Sequence, residues 1–425
     1  MPVDAPILYN NFWVYLRDSM GPAYGTPNTQ QVHNAEIIYS MLRVFGYTAN
    51  AACGILGNMQ TESGLSPGAL QGATAAQLLP DGGEHLASLP NNVMLNYYQA
   101  GGGCGTGLIQ WDGSTNTPPA GNQIASFATR YQQMWFNGEL QIFRLEAEYI
   151  LDPTGGGGIN GTTQSFWSAN RVSPAVNWSA FRSSTASPED CADIFRKCRE
   201  CRERSSGDPS GNQHRRDNAR QWYTRFSGLP VDHQISGLHN AMMAYLFRDS
   251  GYTYSQYDCI HFVNLVRSKA GIPTVVNGTN SLWRSPTDLI WKGTMQDCMD
   301  YFGSIPIGAY LFKCYPEGTP GYETIPDQYR GDGIGNFDHI GIYTLMGKGV
   351  MQSGGYDEAR TGVADTAFHP TQTDPPLAYD WWTHVAVGVN IIIQTHSGTP
   401  GVLFFLINMA NKKRRKYKSE KRQYG

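Results

Sequence analysis

Ser227-Gly228-Leu229-Pro230 reads as a boundary, and across it the hydrophobic pattern changes from helices alone to helices followed by period-two runs, which limits the folds open to this chain more than any other feature. Before it, apolar residues recur at helical spacing. Ala35, Ile37, Ile38, Met41, Leu42, Val44 and Phe45 mark one helix, which stops at Gly46. A second is predicted over 49–63, stopping at Gly64 with Pro67 beyond it. Further helical patterns cover 122–151, 188–204 and 212–226, whereas 68–105 reads as a Gly-rich surface insertion. After the change come a helix over 238–248 and another opening at Cys259. Period-two runs then follow at 309–314, 339–345, 350–353 and 385–394. Helices followed by an antiparallel sheet are the α+β order. The expectation is a multidomain protein, mainly α first and α+β second. Residues 1–29 form an irregular lead, 30–228 the first domain and 229–237 a linker. Residues 238–395 form the second domain and 396–425 a basic tail.

The 425 residues and a 40% hydrophobic content are enough for two to three packed cores. A net charge of −3 argues against a polyanion-binding body. The exception is the run Lys412-Lys413-Arg414-Arg415-Lys416, which continues to Arg422. It reads as a solvated tail or as a contact for an acidic surface, and no base-reading motif accompanies it, so no specific nucleic-acid recognition is expected. The N-terminus lacks the basic and apolar regions of a secretory signal. No window approaches the ~18 apolar residues of a membrane span. Cys198-x-x-Cys201 with Cys191 has no second ligand pair nearby, so neither a metal nor another cofactor is expected.

Two patterns carry chemistry. Glu62 sits in the last turn of the 49–63 helix, before Gly64. The negative end of the helix dipole there disfavours a carboxylate, so its pKa is expected to rise, as a general acid for glycosidic cleavage requires. Downstream, Asp258 is a good N-cap for a helix opening at Cys259, where the dipole should favour thiolate. His339 heads the strand-like run His339-Ile340-Gly341-Ile342-Tyr343. A cysteine and a distant histidine brought together by the fold are the minimum for cysteine hydrolase chemistry.

The first pattern resembles the phage tail-tip lysozyme domain, a relative of goose-type lysozymes and lytic transglycosylases. The resemblance runs through GILGNMQTESGLSP (54–67), GTGLIQWDG (105–113), ELQIFRLEAEYI (139–150), CADIFRKCRECRERS (191–205) and RRDNARQWYTRF (215–226). It implies a peptidoglycan glycosidase with Glu62 as catalytic acid, and with Gln110 and Trp111 lining the sugar groove. Trp111 would supply a stacking face, and Asp112 is the nearest candidate for a second carboxylate. Without a second carboxylate a lytic transglycosylase gains ground over a lysozyme.

The second pattern resembles NlpC-type cell-wall peptidases, of the papain-like superfamily that includes CHAP amidases. The matching blocks are YDCIHFVNLV (257–266), SIPIGAYLF (304–312) and FDHIGIYTLMGKGVMQS (337–353). This resemblance implies Cys259 as nucleophile, His339 as base and Gln352 as the residue orienting it. Tyr254 is a candidate for the oxyanion side, or one of many structural tyrosines. A two-residue turn at Gly347-Lys348 puts Gln352 on the face of His339 but about 13 Å away along the strand, at about 3.3 Å per residue. Ser353 and Asn336 therefore stay open as orienting residues. His261 reads as a packed or surface histidine. The family's Ser-Gly pair after the cysteine is Ile260-His261 here, and the stretch 314–336 is a long insertion.

Together the resemblances imply a bifunctional, virion-associated peptidoglycan hydrolase of a phage tail tip or knob, partnered by bacterial peptidoglycan and other tail proteins. Three alternatives remain. One is an endolysin or secreted conjugation-type wall hydrolase, and another is a structural tail protein that keeps the folds. In the third, the second domain is a transglutaminase- or acyltransferase-like relative.

Overall fold

A computed structural model describes residues 7–9, 12–14, 16, 18–70, 89–99, 105–111, 120–151, 167–200, 209–229, 235–275, 277–344, 346, 348–355, 361–368, 382–389 and 391–392. The chain divides into two compact units, Met1–Asp232 and His233–Gly425. The first is helical apart from a short hairpin and two isolated bridges among its described residues, and the second carries an antiparallel sheet.

The first unit is built around the Ala49–Ser63 helix, in which every residue from Ala51 to Gln60 is buried. Thr48 caps its start and Gly64, left-handed at φ 61°, ends it. Two glycines let its neighbours come close. A Cβ at Gly54 would lie 2.7 Å from Cys191 Cβ in the Pro188–Phe195 helix. A Cβ at Gly57 would lie 2.4 Å from the Arg215 carbonyl in the Pro209–Phe226 helix. A methyl at either position would force the helices apart, at about 1–3 kcal/mol. The first helix, Thr29–Val44, starts earlier than its apolar pattern, because Asn28 and Gln31 form a reciprocal capping box.

Three expectations are corrected here. The lead contains a hairpin, β1 (Ile7–Tyr9) with β2 (Phe12–Val14). The insertion holds a helix, Asn91–Gln99. The single long stretch over 122–151 is two helices, Ala120–Arg130 and Gly138–Leu151, broken where Gln132 takes φ 54°. The last of these helices carries the buried charges of the unit. Tyr47 Oη donates to Glu146 (3.0 Å), which also pairs with Arg182 (3.2 Å). Glu148 pairs with Arg144 (3.4 Å) and Arg199 (2.9 Å). Burial and the adjacent Glu146 push the Tyr47 phenol well above its ordinary value.

In the second unit, β3 (Ile235–Ser236) pairs in parallel with β10 (Ile391–Ile392). The main sheet comprises β4 (Leu289–Thr294), β5 (Tyr310–Tyr315), β6 (Asn336–Tyr343), β7 (Gly349–Gly355), β8 (Thr361–Ala367) and β9 (His384–Gly388). Their order across the sheet is β4-β9-β5-β6-β7-β8, antiparallel throughout. The Gly237–Leu246 and Cys259–Lys269 helices pack together, and the latter lies against β6 and β7. Three strands of this unit were not expected from the sequence: β3, which lies within the stretch read as a linker, β4 and the edge strand β8; nor were the helices Gly278–Arg284 and Met295–Phe302. Among the described residues no helix is long and apolar enough to cross a membrane. The basic tail lies outside the described residues.

Candidate active sites

Glu62 stands one residue before the end of its helix, and four segments meet around it. The hairpin-like 106–111 segment, closed by the Thr106–Trp111 bridge, docks through Ser63 Oγ, which donates to Leu108 O (2.9 Å). Gln141, from the Gly138–Leu151 helix, joins that segment to the turn after the Glu62 helix by accepting from Leu108 N (2.7 Å) and donating to Pro67 O (2.8 Å). The lead closes the other side. Ser19 Oγ donates to Gly64 O (2.5 Å), and Gln31 Nε2 donates to both Gly64 O (3.0 Å) and Pro22 O (2.8 Å). Finally, the helix admitted by Gly57 brings Arg215 into an ion pair with Glu62. Arg215 was not expected here from the sequence, because its pairing with Glu62 arises from the packing of two helices at Gly57.

The expected groove residues fare unequally. Trp111 is only 3% exposed, so its indole packs inside and offers no open stacking face, contrary to expectation. Gln110 takes φ 50° and folds its amide back on its own turn, donating to Gly107 O (2.9 Å) and more weakly to Ala69 O (3.4 Å). Asp112 lies outside the described residues. The carboxylates of the Gly138–Leu151 helix described above are committed to ion pairs or backbone hydrogen bonds. Glu139, for example, accepts from Leu16 N (3.1 Å).

In the second unit, Asp258 caps the Cys259–Lys269 helix by accepting from His261 N (2.9 Å). His261 is exposed and also turns Nδ1 onto Asp258 (2.9 Å), as a surface histidine would. Cys259 is buried, with its thiol 3.9 Å from Asp338 O. His339 sits on β6, where its Nε2 meets Gln352 Oε1 of β7 at 2.6 Å. The register differs from the one a two-residue turn gives. Gly341 faces Gln352 and Tyr343 faces Val350, with Thr344 N bonded to Gly349 O across a longer connection. The shift of two residues preserves the face and halves the offset between His339 and Gln352 from four residues to two. The other orienting candidates are engaged elsewhere. Ser353 Oγ donates to Tyr257 O, and Asn336 is bonded to Gly321 O (2.8 Å), Thr324 Oγ1 (2.8 Å) and Asn280 Nδ2 (2.8 Å). Tyr254 is 41% exposed on the turn before the Cys259 helix.

The hydrogen bonds around Gln352 set the tautomer. Gln352 Nε2 donates to Thr366 Oγ1 (2.5 Å), and Thr366 Oγ1 reaches Val350 O (3.4 Å). With its amide nitrogen on Thr366, Gln352 turns a carbonyl oxygen to His339, so Nε2 carries the proton and Nδ1 is the basic nitrogen. Trp382 stacks on the imidazole, with ring centroids 5.6 Å apart and planes at 21°. It fits because position 341 has no side chain: a Cβ there would lie 2.9 Å from the indole.

The electrostatics reverse one expectation. Burial, with Asp258 alongside, pushes the Cys259 thiol up to about 12 despite the opposing amides of Ile340 and Ile260. The helix terminus does not win against desolvation. Burial likewise pushes His339 down to about 4; the Gln352 bond opposes this and Lys313 adds to it. The resting pair is therefore a neutral thiol and a neutral imidazole. Among the described residues no cluster of histidine, cysteine or acidic side chains could hold a metal ion.

A search of curated proteins gave no match to the chain. Residues 33–226, in contrast, match the model of the family described as phage tail lysozyme, which makes the first unit lysozyme-like and supports a phage-associated peptidoglycan hydrolase.

Proposed function

We propose that this protein is a virion-associated peptidoglycan hydrolase with two active sites, acting at a phage tail tip or knob to open the host wall during genome delivery. Residues 30–228 cleave the glycan strand. Residues 238–395, a papain-like domain of the NlpC or CHAP kind, cleave the stem peptide or its amide bond to the sugar. The linker is 229–237, and the basic tail of 396–425 contacts other tail proteins or the wall. The observation that carries this reading is the lysozyme match running through the Glu62 blocks. The peptidase half is supported by Cys259, His339 and Gln352 lying on one helix terminus and two adjacent strands.

In the first site Glu62 is the proton donor to the glycosidic oxygen. Because Arg215 holds it in an ion pair, glycan binding must open that pair first. In the second, the Cys259 proton moves to His339 Nδ1 as Sγ attacks the carbonyl carbon. The imidazolium then protonates the leaving amine, and water assisted by His339 cleaves the thioester. The positive end of the Cys259–Lys269 helix dipole stabilises the developing oxyanion. Digestion of purified peptidoglycan by the full chain, with products identified by mass spectrometry, tests both halves. New glycan ends and new stem-peptide ends are expected, and a folded protein that releases neither overturns the reading.

Thr366 is a positioning residue in this scheme. Thr366→Val keeps the shape but removes the acceptor that fixes the Gln352 amide. A bond worth about 1 kcal/mol should be lost, lowering kcat for peptide cleavage about 5-fold with KM unchanged. Thr366→Ser should restore the rate. Equal kcat in the valine variant would exclude the role.

A further inference from the structure

The buried indole of Trp111 is not the open aromatic surface expected beside Glu62, and the lead segment holds an exposed ring. Tyr24 is 58% exposed. One face of its ring is covered by His214, with centroids 4.1 Å apart and planes at 10°. An exposed ring covered on one side presents its other face to solvent. The imidazole beneath also fixes the ring's orientation.

Its position is set by bonds that reach the two residues before Glu62. Asn218 Nδ2 donates to Ala23 O (2.9 Å) and to Thr61 Oγ1 (3.1 Å), tying the residue before Tyr24 to the residue before Glu62. Pro22 O accepts from Gln31 Nε2 (2.8 Å) and, at 3.4 Å, from Gln60 Nε2. His214 directly precedes Arg215, the partner of Glu62. The platform and the carboxyl are thus carried by the same two helices and one stitched segment. A surface tyrosine on a loose loop would have none of these ties.

We propose that Tyr24 is a stacking platform for a sugar ring of the glycan strand, placed on the rim of the Glu62 site and backed by His214. The proposal rests on the glycan-cleaving reading of that site and adds a binding residue to it. An equatorially substituted pyranose turns a face of axial C–H bonds outward, and such a face packs flat on an aromatic ring. The phenol can meet the ring's hydroxyl or acetamido groups at its edge.

The test uses the full-length chain carrying Glu62→Gln, so that the glycan stays intact, and peptide-free glycan strands as the probe. Adding Tyr24→Ala should weaken binding about 5- to 10-fold, the range of one aromatic contact, while Tyr24→Phe keeps most of it. His214→Ala should give a smaller loss. With Glu62 intact, Tyr24→Ala should raise KM for glycan cleavage and leave kcat near its starting value. Unchanged binding in a folded Tyr24→Ala protein, or no glycan binding before that change, overturns the proposal. Tyr24-dependent binding without cleavage by the unsubstituted protein would instead retain the platform and remove the hydrolase reading.

Discussion

Cys259→Ala is expected to abolish the release of stem-peptide ends, by at least about 10⁴-fold, while glycan cleavage continues unchanged. Alanine removes the sulfur that bonds the carbonyl carbon in the proposed mechanism and fits the same buried space. The pH profile carries a second, sharper expectation. With His339 held at about 4 and the thiol at about 12, both partners stay neutral across the physiological range. Acid removes the base only when the buried imidazole is protonated. Peptide cleavage should therefore hold through the 6.5 of an ordinary histidine and fall as the pH approaches about 4. An inflection near 6.5 would mean that His339 is solvated in the working enzyme. Retained peptide cleavage by the alanine variant would remove the cysteine peptidase from the scheme altogether.

Glu62→Gln should lower the release of glycan ends by about 10²- to 10⁴-fold, the range of general acid–base catalysis, with peptide cleavage unaffected. Glutamine can still accept from Arg215 but cannot deliver a proton to a leaving oxygen. The substitution should leave the fold in place, since a partly exposed ion pair contributes about 1 kcal/mol or less. Undiminished glycan ends would assign the cleavage to another carboxyl. The form of those ends also matters: reducing ends mean hydrolysis, and anhydro ends mean intramolecular transglycosylation.

Much of the frame was legible because the decisive signals are local. The Ala49–Ser63 helix is announced by its cap and by Gly64, and the Cys259–Lys269 helix by Asp258. The Met295–Phe302 helix was equally legible in principle, through the Thr294-x-x-Asp297 capping box and Gly303, and was missed. The edge strand β8 offers no comparable signal: Thr361-Gly362-Val363-Ala364-Asp365 is short and mixed, and only its pairing with β7 makes it a strand. The distance from His339 to Gln352 depended on a turn whose length the residues do not declare. Trp111 failed for a different reason. A tryptophan in a groove motif and a tryptophan in a core read alike, and only burial separates them. Arg215 meets Glu62, and Tyr24 stacks on His214, through tertiary packing of the helix admitted by Gly57, so no spacing rule along the chain points to them.

The stitched lead has a consequence for how this module can be cut and joined. The family match begins at residue 33, yet the wall of the Glu62 site begins much earlier. Leu16 N donates to Glu139 Oε1 at 3.1 Å, Asp18 Oδ1 accepts from Gly68 N at 2.8 Å, and Ser19 and Gln31 close on Gly64. A gene fusion or a protease that severed the chain at the family boundary would leave the recognisable signature whole and strip one bank from the cleft. The heritable unit of this site is thus longer than the unit by which it is recognised, and recombination that keeps it working has to carry the upstream residues along.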